Sequence, residues 1–210
     1  MRTLKLLVVG LVIVAATIGV LVYRSEPSAA RSPGGRGAIP LSVSVPAPRL
    51  EVPRPDGAVT TRDGELPDGA TVFDEGYPGI ANLDPDLLRA LRAAATEADE
   101  DGIALPVNSG WRSPDYQNEL LRQAVSQYGS AEEAAKWVAT AETSPHVSGE
   151  AIDIGSVDGW TWLSKRGAEF GLCQIYRNEP WHFELRPGAR EDGHCPRMFA
   201  DPTDDPRMHG

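Results

Sequence analysis

The chain has 210 residues, a formal net charge of -10 at pH 7 and a hydrophobic content of 41%. Length and composition fit one folded domain of common size with additional segments. The acidic balance, with no Lys/Arg cluster after the N-terminal apolar run, argues against a nucleic-acid partner, because a phosphate-binding protein needs a basic surface.

An uninterrupted run of apolar and small residues, Leu6–Val22, follows the basic N-terminus. It is nearly long enough to cross a bilayer and longer than the apolar region of about 7–15 residues in a signal peptide. We expect residues 1–24 to be an N-terminal membrane segment, an uncleaved anchor being favoured over a signal cleaved near Ala30. Residues 25–65, rich in Pro, Gly, Ser and Ala, are expected to form a linker and an irregular lead-in.

Four later segments carry helix signatures. Three of them open at a side chain that can accept hydrogen bonds from the first turn. These helices are expected to begin after Asp84, Ser113 and Ser130 and to end at Gly102, Gly129 and Ala141. A fourth, shorter helix ends near Gly171, and its aromatic residues are expected to fill the core.

Short strands are predicted between the helices. Ile103–Val107 is expected to deliver Asn108, Ser109 and Trp111 to a cleft, and Cys173–Tyr176 to lead toward Glu179. Two strands alternate with period two, so Ile152 and Ile154 should face the core and Asp153 the cleft. In the second, Trp181, Phe183 and Leu185 should be buried and His182 should lie on the other face.

Strands and helices alternate without the regular spacing of a parallel sheet. The last two strands are close enough in sequence for an antiparallel hairpin. The predicted fold class is therefore α+β: a small antiparallel sheet carries the cleft, and helices flank it. The catalytic domain is expected at residues 66–200, followed by a polar tail at 201–210.

The residues predicted at the cleft include the three ligands and the general base that a catalytic zinc site requires. His146, Asp153 and His182 supply two imidazoles and one carboxylate, and three protein ligands leave the fourth position of a tetrahedral zinc to water. We expect one zinc ion per chain, with Glu179 as the general base. The other two histidines, His194 and His209, lie in polar surroundings and are expected to be solvated.

The choice of base leaves an alternative open. A regular strand puts Glu179 and His182 on opposite faces, whereas Glu184 shares a face with His182. Pro180 favours a bend that would return Glu179 to the metal. Glu184 remains the rival base.

Cys173 and Cys195 are the only cysteines. In an exported protein they would form a disulfide; the alternative is a pair of buried free thiols.

Three motifs, in order, resemble the zinc D-alanyl-D-alanine carboxypeptidases and dipeptidases, the group with the vancomycin-resistance carboxypeptidases. The motifs are WRSPDYQ at 111–117, SPHVSGEAID at 144–153 and EPWH at 179–182. The resemblance implies that Arg112 receives the terminal carboxylate of a substrate. Arg112 also precedes a helix N-terminus, which favours anions. Ser144 and Gln117 are further candidates for substrate binding.

The expected function is therefore that of a zinc peptidase that trims peptidoglycan stem peptides outside the membrane, releasing terminal D-alanine. The catalytic domain would be extracytoplasmic, held by a single-pass anchor or secreted if the segment is cleaved. One alternative is a peptidoglycan endopeptidase of the same fold, which needs an open groove without a carboxylate clamp. Another is a wall-binding module that has lost catalysis, although such a module has no need of Glu179. The oligomeric state is left open.

Overall fold

The structure, a computed structural model, describes residues 59–209. Its α-helices are α1 (Pro78–Ala81), α2 (Pro85–Glu100), α3 (Pro114–Tyr128), α4 (Ala131–Ala135), α5 (Val157–Arg166) and α6 (Gly188–Asp192). Its strands are β1 (Val107–Ser109), β2 (Ala151–Ile154), β3 (Leu172–Gln174) and β4 (His182–Leu185). Short 3-10 helices occupy Thr61–Asp63, Gly167–Phe170, Pro202–Asp204 and Pro206–Met208.

The four strands form one antiparallel sheet in the order β1-β2-β4-β3. Helices beside a small antiparallel sheet confirm the α+β class, and the expected pairing of the last two strands is present. In the central pair Asp153 lies directly opposite His182. Facing residues on neighbouring strands project from the same side of a sheet, so these two side chains meet.

The main hydrophobic core covers one face of this sheet. Ile152, Ile154 and Phe183 are fully buried in it together with the apolar stripe of α2. Because side chains alternate along a strand, Asp153 and His182 project from the other face, as predicted. Trp181 was expected on the core side, but it precedes β4 and lines the main cavity.

Two helices begin where the sequence predicts. Asp84 accepts hydrogen bonds from the first turn of α2, and Ser113 accepts one from the Tyr116 N–H of α3. Gly129 ends α3 in a left-handed conformation with φ 83°, which glycine adopts without steric cost. Local capping chemistry was therefore sufficient to place these boundaries.

The prediction for α4 was wrong at its C-terminal end. Ser130 accepts from the Glu133 N–H as expected, but the helix ends at Ala135 rather than Ala141. Beyond that point Trp137 stacks on Tyr128 of α3, with ring centroids 5.8 Å apart. Packing against α3 thus takes the chain out of the helix.

Two strand boundaries also differ from the prediction. The first strand is Val107–Ser109 rather than Ile103–Val107, because pairing with β2 begins only where Val107 faces Ile154. The third is Leu172–Gln174, and Tyr176 instead forms an isolated bridge with Phe199.

The predicted membrane segment at residues 1–24 lies outside the described residues, as does most of the 25–65 linker. Within residues 59–209, no helix combines the length and apolar character needed to span a bilayer. The end of the predicted linker is folded, since the Asp63 carbonyl accepts from the Ser113 N–H at 2.8 Å. In the segment predicted as a polar tail, Pro202 and Asp205 are buried.

The predicted disulfide is present between Cys173 of β3 and Cys195. Beyond it the chain runs beside the segment that follows β3. The Phe199 N–H donates to the Ile175 carbonyl at 3.0 Å, and the Arg177 N–H donates to the Phe199 carbonyl at 3.0 Å. The C-terminal segment is thereby attached to the loop that leads to Glu179.

Candidate metal centre and active site

A cavity of about 660 Å³ is lined by β1, β2, the start of β4, α3 and neighbouring loops. The structure brings all the residues predicted for the site, other than the rival base, to its wall: Arg112, Gln117, Ser144, His146, Asp153, Glu179 and His182. Of the residues expected at the cleft from β1, Asn108 and Ser109 line the cavity. Trp111 is instead held at the backbone, where its N–H donates to the Gly79 carbonyl at 2.8 Å.

Three of these side chains converge at one point. His146 Nε2 lies 3.3 Å from His182 Nδ1, and Asp153 Oδ1 lies 3.4 Å from the first and 3.2 Å from the second. Ligands held at about 2.0–2.1 Å from a tetrahedral zinc are about 3.3–3.4 Å from one another. The triangle of ligand atoms therefore fits zinc in spacing as well as in chemistry.

Hydrogen bonds on the far side of each imidazole orient the two histidines. His146 Nδ1 donates to the Gly110 carbonyl at 2.8 Å, and His182 Nε2 donates to Glu184 Oε1 at 3.2 Å. Each acceptor keeps a proton on the nitrogen that it contacts, so His146 Nε2 and His182 Nδ1 point into the triangle, where a metal that displaces their protons would find both lone pairs. Two imidazole nitrogens and a carboxylate oxygen, all 3.2–3.4 Å apart, are suited to share one cation.

The electrostatics of the triangle favour positive charge at its centre. Burial opposes charge on His182, but hydrogen bonds to Asp153 and Glu184 outweigh it and raise its pKa to about 10. Burial also opposes charge on Asp153, yet the adjacent His146, His182 and Arg112 hold its pKa well below the usual range. Asp153 is therefore a carboxylate at neutral pH, ready to serve as a ligand.

The guanidinium of Arg112 is held at the cavity wall by three neighbours. Nη2 donates to Asp153 Oδ2 at 2.8 Å, Nε to Ser109 Oγ at 2.7 Å and Nη1 to Gln117 Oε1 at 3.2 Å. Gln117 also donates through Nε2 to the Ala139 carbonyl at 2.9 Å. Both ends of the Gln117 amide are thus engaged within the protein, where they hold Arg112 in place.

Two buried polar atoms of the cavity wall have no hydrogen-bond partner among the described residues. They are Glu179 Oε1 and Ser144 Oγ. A buried polar atom left without a partner is costly, and in a cavity wall it points to a missing ligand. The other Glu179 oxygen lies 3.8 Å from His182 Nδ1, and burial raises the Glu179 pKa to about 8.

The rival base has different surroundings. Glu184 is buried but is not among the described residues that line the cavity. Besides His182 it contacts Arg186 and Arg207, each through a nitrogen 2.7 Å from Oε2. Burial opposes its charge, but hydrogen bonds from His182 and Arg207 lower the Glu184 pKa. His194 and His209, expected to be solvated, are both exposed.

One glycine of the His146 motif has a steric role. Gly149 has φ 80°, and a Cβ there would lie 2.5 Å from the Asn82 carbonyl oxygen. The Gly149 carbonyl in turn accepts from the Asp84 N–H at 2.9 Å. The turn after His146 is thus seated directly on the start of α2, where no other residue type fits.

Sequence reasoning missed part of the cavity wall. An apolar stretch comes from Tyr128 and Trp137, and the C-terminal segment contributes Pro202 and Met208. No local pattern connects residues 202 and 208 with a site whose other residues end at His182, 20 and 26 positions earlier.

Comparisons with known proteins agree with this geometry. A curated D-alanyl-D-alanine carboxypeptidase of Enterococcus faecalis is 33% identical over 124 residues, which are 47% of this chain and 43% of that protein. The chain therefore matches less than half the length of this relative.

Solved structures are similar as well. The LdcB LD-carboxypeptidase superposes with a TM-score of 0.50 at 23% identity, covering 63% of this chain and 74% of that one, and supports the fold. A mutant of the vancomycin resistance D,D-pentapeptidase VanY in complex with Zn(II) has a TM-score of 0.49 at 26% identity, covering 54% and 80%.

A family model described as VanY, D-alanyl-D-alanine carboxypeptidase, matches residues 81–187. This range is just over half of the chain and contains the ligand triangle, Glu179 and Arg112. The chain belongs to the VanY D-alanyl-D-alanine carboxypeptidase family.

Proposed function

We propose that this protein is a zinc-dependent D-alanyl-D-alanine carboxypeptidase that releases the terminal D-alanine of peptidoglycan stem peptides. The observation that carries the proposal is the triangle of ligand atoms, which lies beside a buried carboxylate and an arginine in one cavity. Membership of the VanY family supports the same reaction and substrate class.

The metal ligands would be His146 Nε2, Asp153 Oδ1 and His182 Nδ1. Zinc in a site of this kind acts as a Lewis acid that polarises a carbonyl and lowers the pKa of water toward about 7. The fit rests on the spacing of the three atoms and on their orientation by Gly110 and Glu184.

Glu179 is the proposed general base. Its Oε1 is buried without a partner, and its Oε2 lies within 3.8 Å of a ligand atom. Burial raises its pKa to about 8, and a cation at the triangle would favour the carboxylate form. The group can therefore accept a proton from the attacking water and hold it for the leaving amine.

Arg112 is the proposed recognition group for the substrate carboxylate. Its contacts with Asp153, Ser109 and Gln117 use three of the five N–H donors of a guanidinium, which leaves two for a ligand. A carboxylate can accept two parallel hydrogen bonds from such a group. The unpartnered Ser144 hydroxyl lies in the same wall and is a second candidate contact.

The residues then account for the full hydrolysis. The oxygen of water adds to the carbonyl carbon of the penultimate residue while Glu179 takes one proton. The C–N bond breaks, and the proton held by Glu179 passes to the amine nitrogen of the departing D-alanine. Arg112 holds the carboxylate of that D-alanine throughout, which restricts the reaction to the end of a peptide.

The proposed binding of a substrate carboxylate by Arg112 favours a carboxypeptidase over the endopeptidase alternative. An endopeptidase must pass a continuing chain through the place where Arg112 lies. The unsatisfied Glu179 oxygen likewise argues against a non-catalytic wall-binding module, because a binder gains nothing from burying it. The disulfide supports a location outside the cytoplasmic membrane, and the anchor at residues 1–24 remains a prediction.

The test is metal analysis combined with turnover. The purified protein is expected to hold about one zinc per chain and to release D-alanine from a pentapeptide ending in D-Ala-D-Ala. His146→Ala with Asp153→Ala should lose both zinc and activity. Full zinc occupancy in that double variant would refute the ligand assignment. Cleavage of an amide-capped or cross-linked peptide at the same rate would instead favour an endopeptidase.

A further inference from the structure

Glu184 supports His182 from the side opposite the ligand triangle. It is 1% exposed and accepts the His182 Nε2 hydrogen bond at 3.2 Å. A buried carboxylate is stable only with partners for its charge. Arg186 supplies one contact, to Oε2 at 2.7 Å, whereas Arg207 contacts both oxygens, at 2.7 and 3.2 Å.

Arg207 is itself oriented by a second buried carboxylate. Its Nε donates to both oxygens of Asp205, at 3.1 and 3.0 Å, and Asp205 is 1% exposed. The guanidinium therefore lies between Glu184 and Asp205, each of which meets a different edge of its plane. The planar guanidinium of Arg207 is bound along two edges and therefore keeps one orientation, although the side chain is 41% exposed.

A second route connects the same pair to His182. The Tyr176 hydroxyl donates to Asp205 Oδ2 at 3.0 Å. The Tyr176 ring packs on the His182 ring with centroids 5.1 Å apart. His182 is thus oriented by two contacts, the Glu184 hydrogen bond and the Tyr176 ring. Arg207 holds Glu184, and Asp205 holds both Tyr176 and Arg207.

We propose that Arg207, oriented by Asp205, is a positioning residue of the metal centre: it holds Glu184 so that the proton of His182 stays on Nε2 and Nδ1 faces the metal. The inference rests on the proposed zinc site. It assigns a role in that site to the C-terminal segment, which lies beyond the range of the family match.

Without Arg207, Glu184 retains one arginine contact, from Arg186, besides the hydrogen bond from His182. The carboxylate can then rotate toward that arginine and release the Nε2 proton of His182. Groups that orient a metal-binding histidine typically change metal affinity by about 10- to 100-fold. Arg207→Met should therefore raise the zinc dissociation constant of the full chain by about 10-fold, with Arg207→Lys in between.

Chelator competition on the full chain tests this. Glu184→Leu should weaken zinc binding at least as much as Arg207→Met, and Glu184→Gln should do so less, because its amide oxygen still accepts from Nε2. Arg207→Met should add nothing in the Glu184→Leu background, since Arg207 acts through Glu184. Arg89→Met is the control, because Arg89 is an exposed arginine paired with Asp86 on α2.

A measurement on the metal-free protein separates this inference from the proposed function. The Nε2 proton of His182, followed by NMR, should exchange slowly with solvent in the wild type and at least about 10-fold faster in Arg207→Met. A wild type that binds no zinc would refute the proposed function, while this readout would still decide the inference. The inference would be overturned if Arg207→Met had the proton exchange rate and the zinc affinity of the wild type. It would also be overturned if the losses of zinc affinity in Arg207→Met and Glu184→Leu simply added in the double variant.

Discussion

The two oxygens of Asp153 have different partners, and this division links the proposed metal ligands to the proposed carboxylate-binding group. Oδ1 belongs to the ligand triangle, while Oδ2 accepts from Arg112 at 2.8 Å. Both side chains are largely buried, so their mutual orientation is strongly constrained. A single residue, Asp153, therefore connects Arg112, the proposed carboxylate-binding group, with the proposed metal.

Glu179→Gln should keep zinc while losing turnover. The amide has nearly the same shape but accepts no proton, so kcat is expected to fall by about 10² to 10⁴-fold with zinc content and KM little changed. Turnover of a D-Ala-D-Ala peptide at saturating zinc measures this. Glu184→Gln, which changes a carboxylate outside the cavity, is the matched control and should alter kcat only modestly. The opposite ranking of the two variants would make Glu184 the base.

Arg112→Gln should abolish the preference for a free carboxylate. The wild type is expected to favour a peptide acid over its C-terminal amide by about 10- to 100-fold in kcat/KM, because charge-assisted hydrogen bonds are lost with the amide. Comparing two substrates within one variant cancels any loss of zinc that follows from the contact with Asp153. A variant with undiminished preference for the acid would show that another group binds the carboxylate.

At the level of elements, the site depends on where turns meet helices. The turn after His146 is seated on the start of α2 through Gly149, and the Arg112 N–H donates to the His146 carbonyl at 3.2 Å. Gly110, whose carbonyl orients His146, has no room for a side chain, since a Cβ would lie 2.1 Å from the Gly79 oxygen. Backbone contacts of this closeness hold the His146 loop between the start of α2 and the segment that follows β1.

Gly149→Ala should destabilise the protein more than Gly69→Ala. The two glycines have nearly equal positive φ, 80° and 77°, but only Gly149 has a neighbour within 4 Å of an added Cβ. The left-handed backbone costs an alanine about 1–2 kcal/mol at either position, so the excess loss at Gly149 isolates the clash. Urea unfolding measures both. Equal losses would mean that the turn moves away freely.

Replacing both cysteines with alanine should remove stability without removing the fold. In the chain-entropy model, a loop closed across this separation contributes about 3–4 kcal/mol to the free energy of unfolding. Denaturant unfolding of oxidised wild type, reduced wild type and Cys173→Ala with Cys195→Ala measures it. The last two are expected to agree. A double variant as stable as the oxidised protein would contradict the assignment.

Elements with local signatures were predictable, whereas those set by distant packing were not. Asp84, Ser113 and Gly129 act within one turn of their own position, so sequence places the ends of α2 and α3. The early end of α4 depends on the stacking of Trp137 against Tyr128, which belongs to another helix. The alternation of side chains along a strand is also a local property, so the sequence correctly placed Asp153 and His182 on the cleft face.

On the scale of the whole molecule, the candidate site combines groups from far apart in the sequence. The ligand triangle was predictable because a metal needs specific residue types in a recognisable spacing. The support of Glu184 was not, since Arg207 follows it by 23 positions in a segment without any motif. For the same reason the sequence could not exclude Glu184 as the base. Strand alternation places Glu184 on the same face as His182, but it does not reveal the arginines that surround Glu184.

Asp205 should make the stability of the molecule sensitive to acid. Burial would raise its pKa, but hydrogen bonds from Arg207 and Tyr176 outweigh this and lower it. A carboxyl group with a lower pKa in the folded state adds stability above its unfolded pKa, near 4, and loses it as pH falls through the folded value. The stability difference between wild type and Asp205→Asn should therefore be largest at pH 5–7 and shrink below about pH 4. Urea unfolding across this range checks it, and a constant difference would rule it out.

The position of Asp205 and Arg207 along the chain determines the order in which the cleft is completed during synthesis. The proposed ligands, base and carboxylate-binding arginine, all between Arg112 and Glu184, are translated before either residue. A nascent chain that has just passed β4 holds the ligand residues but lacks the arginine that meets Glu184 and the wall formed by Pro202 and Met208. Completion of the candidate site thus awaits residues 202–208, so that a chain synthesised or exported only as far as β4 carries an unfinished site.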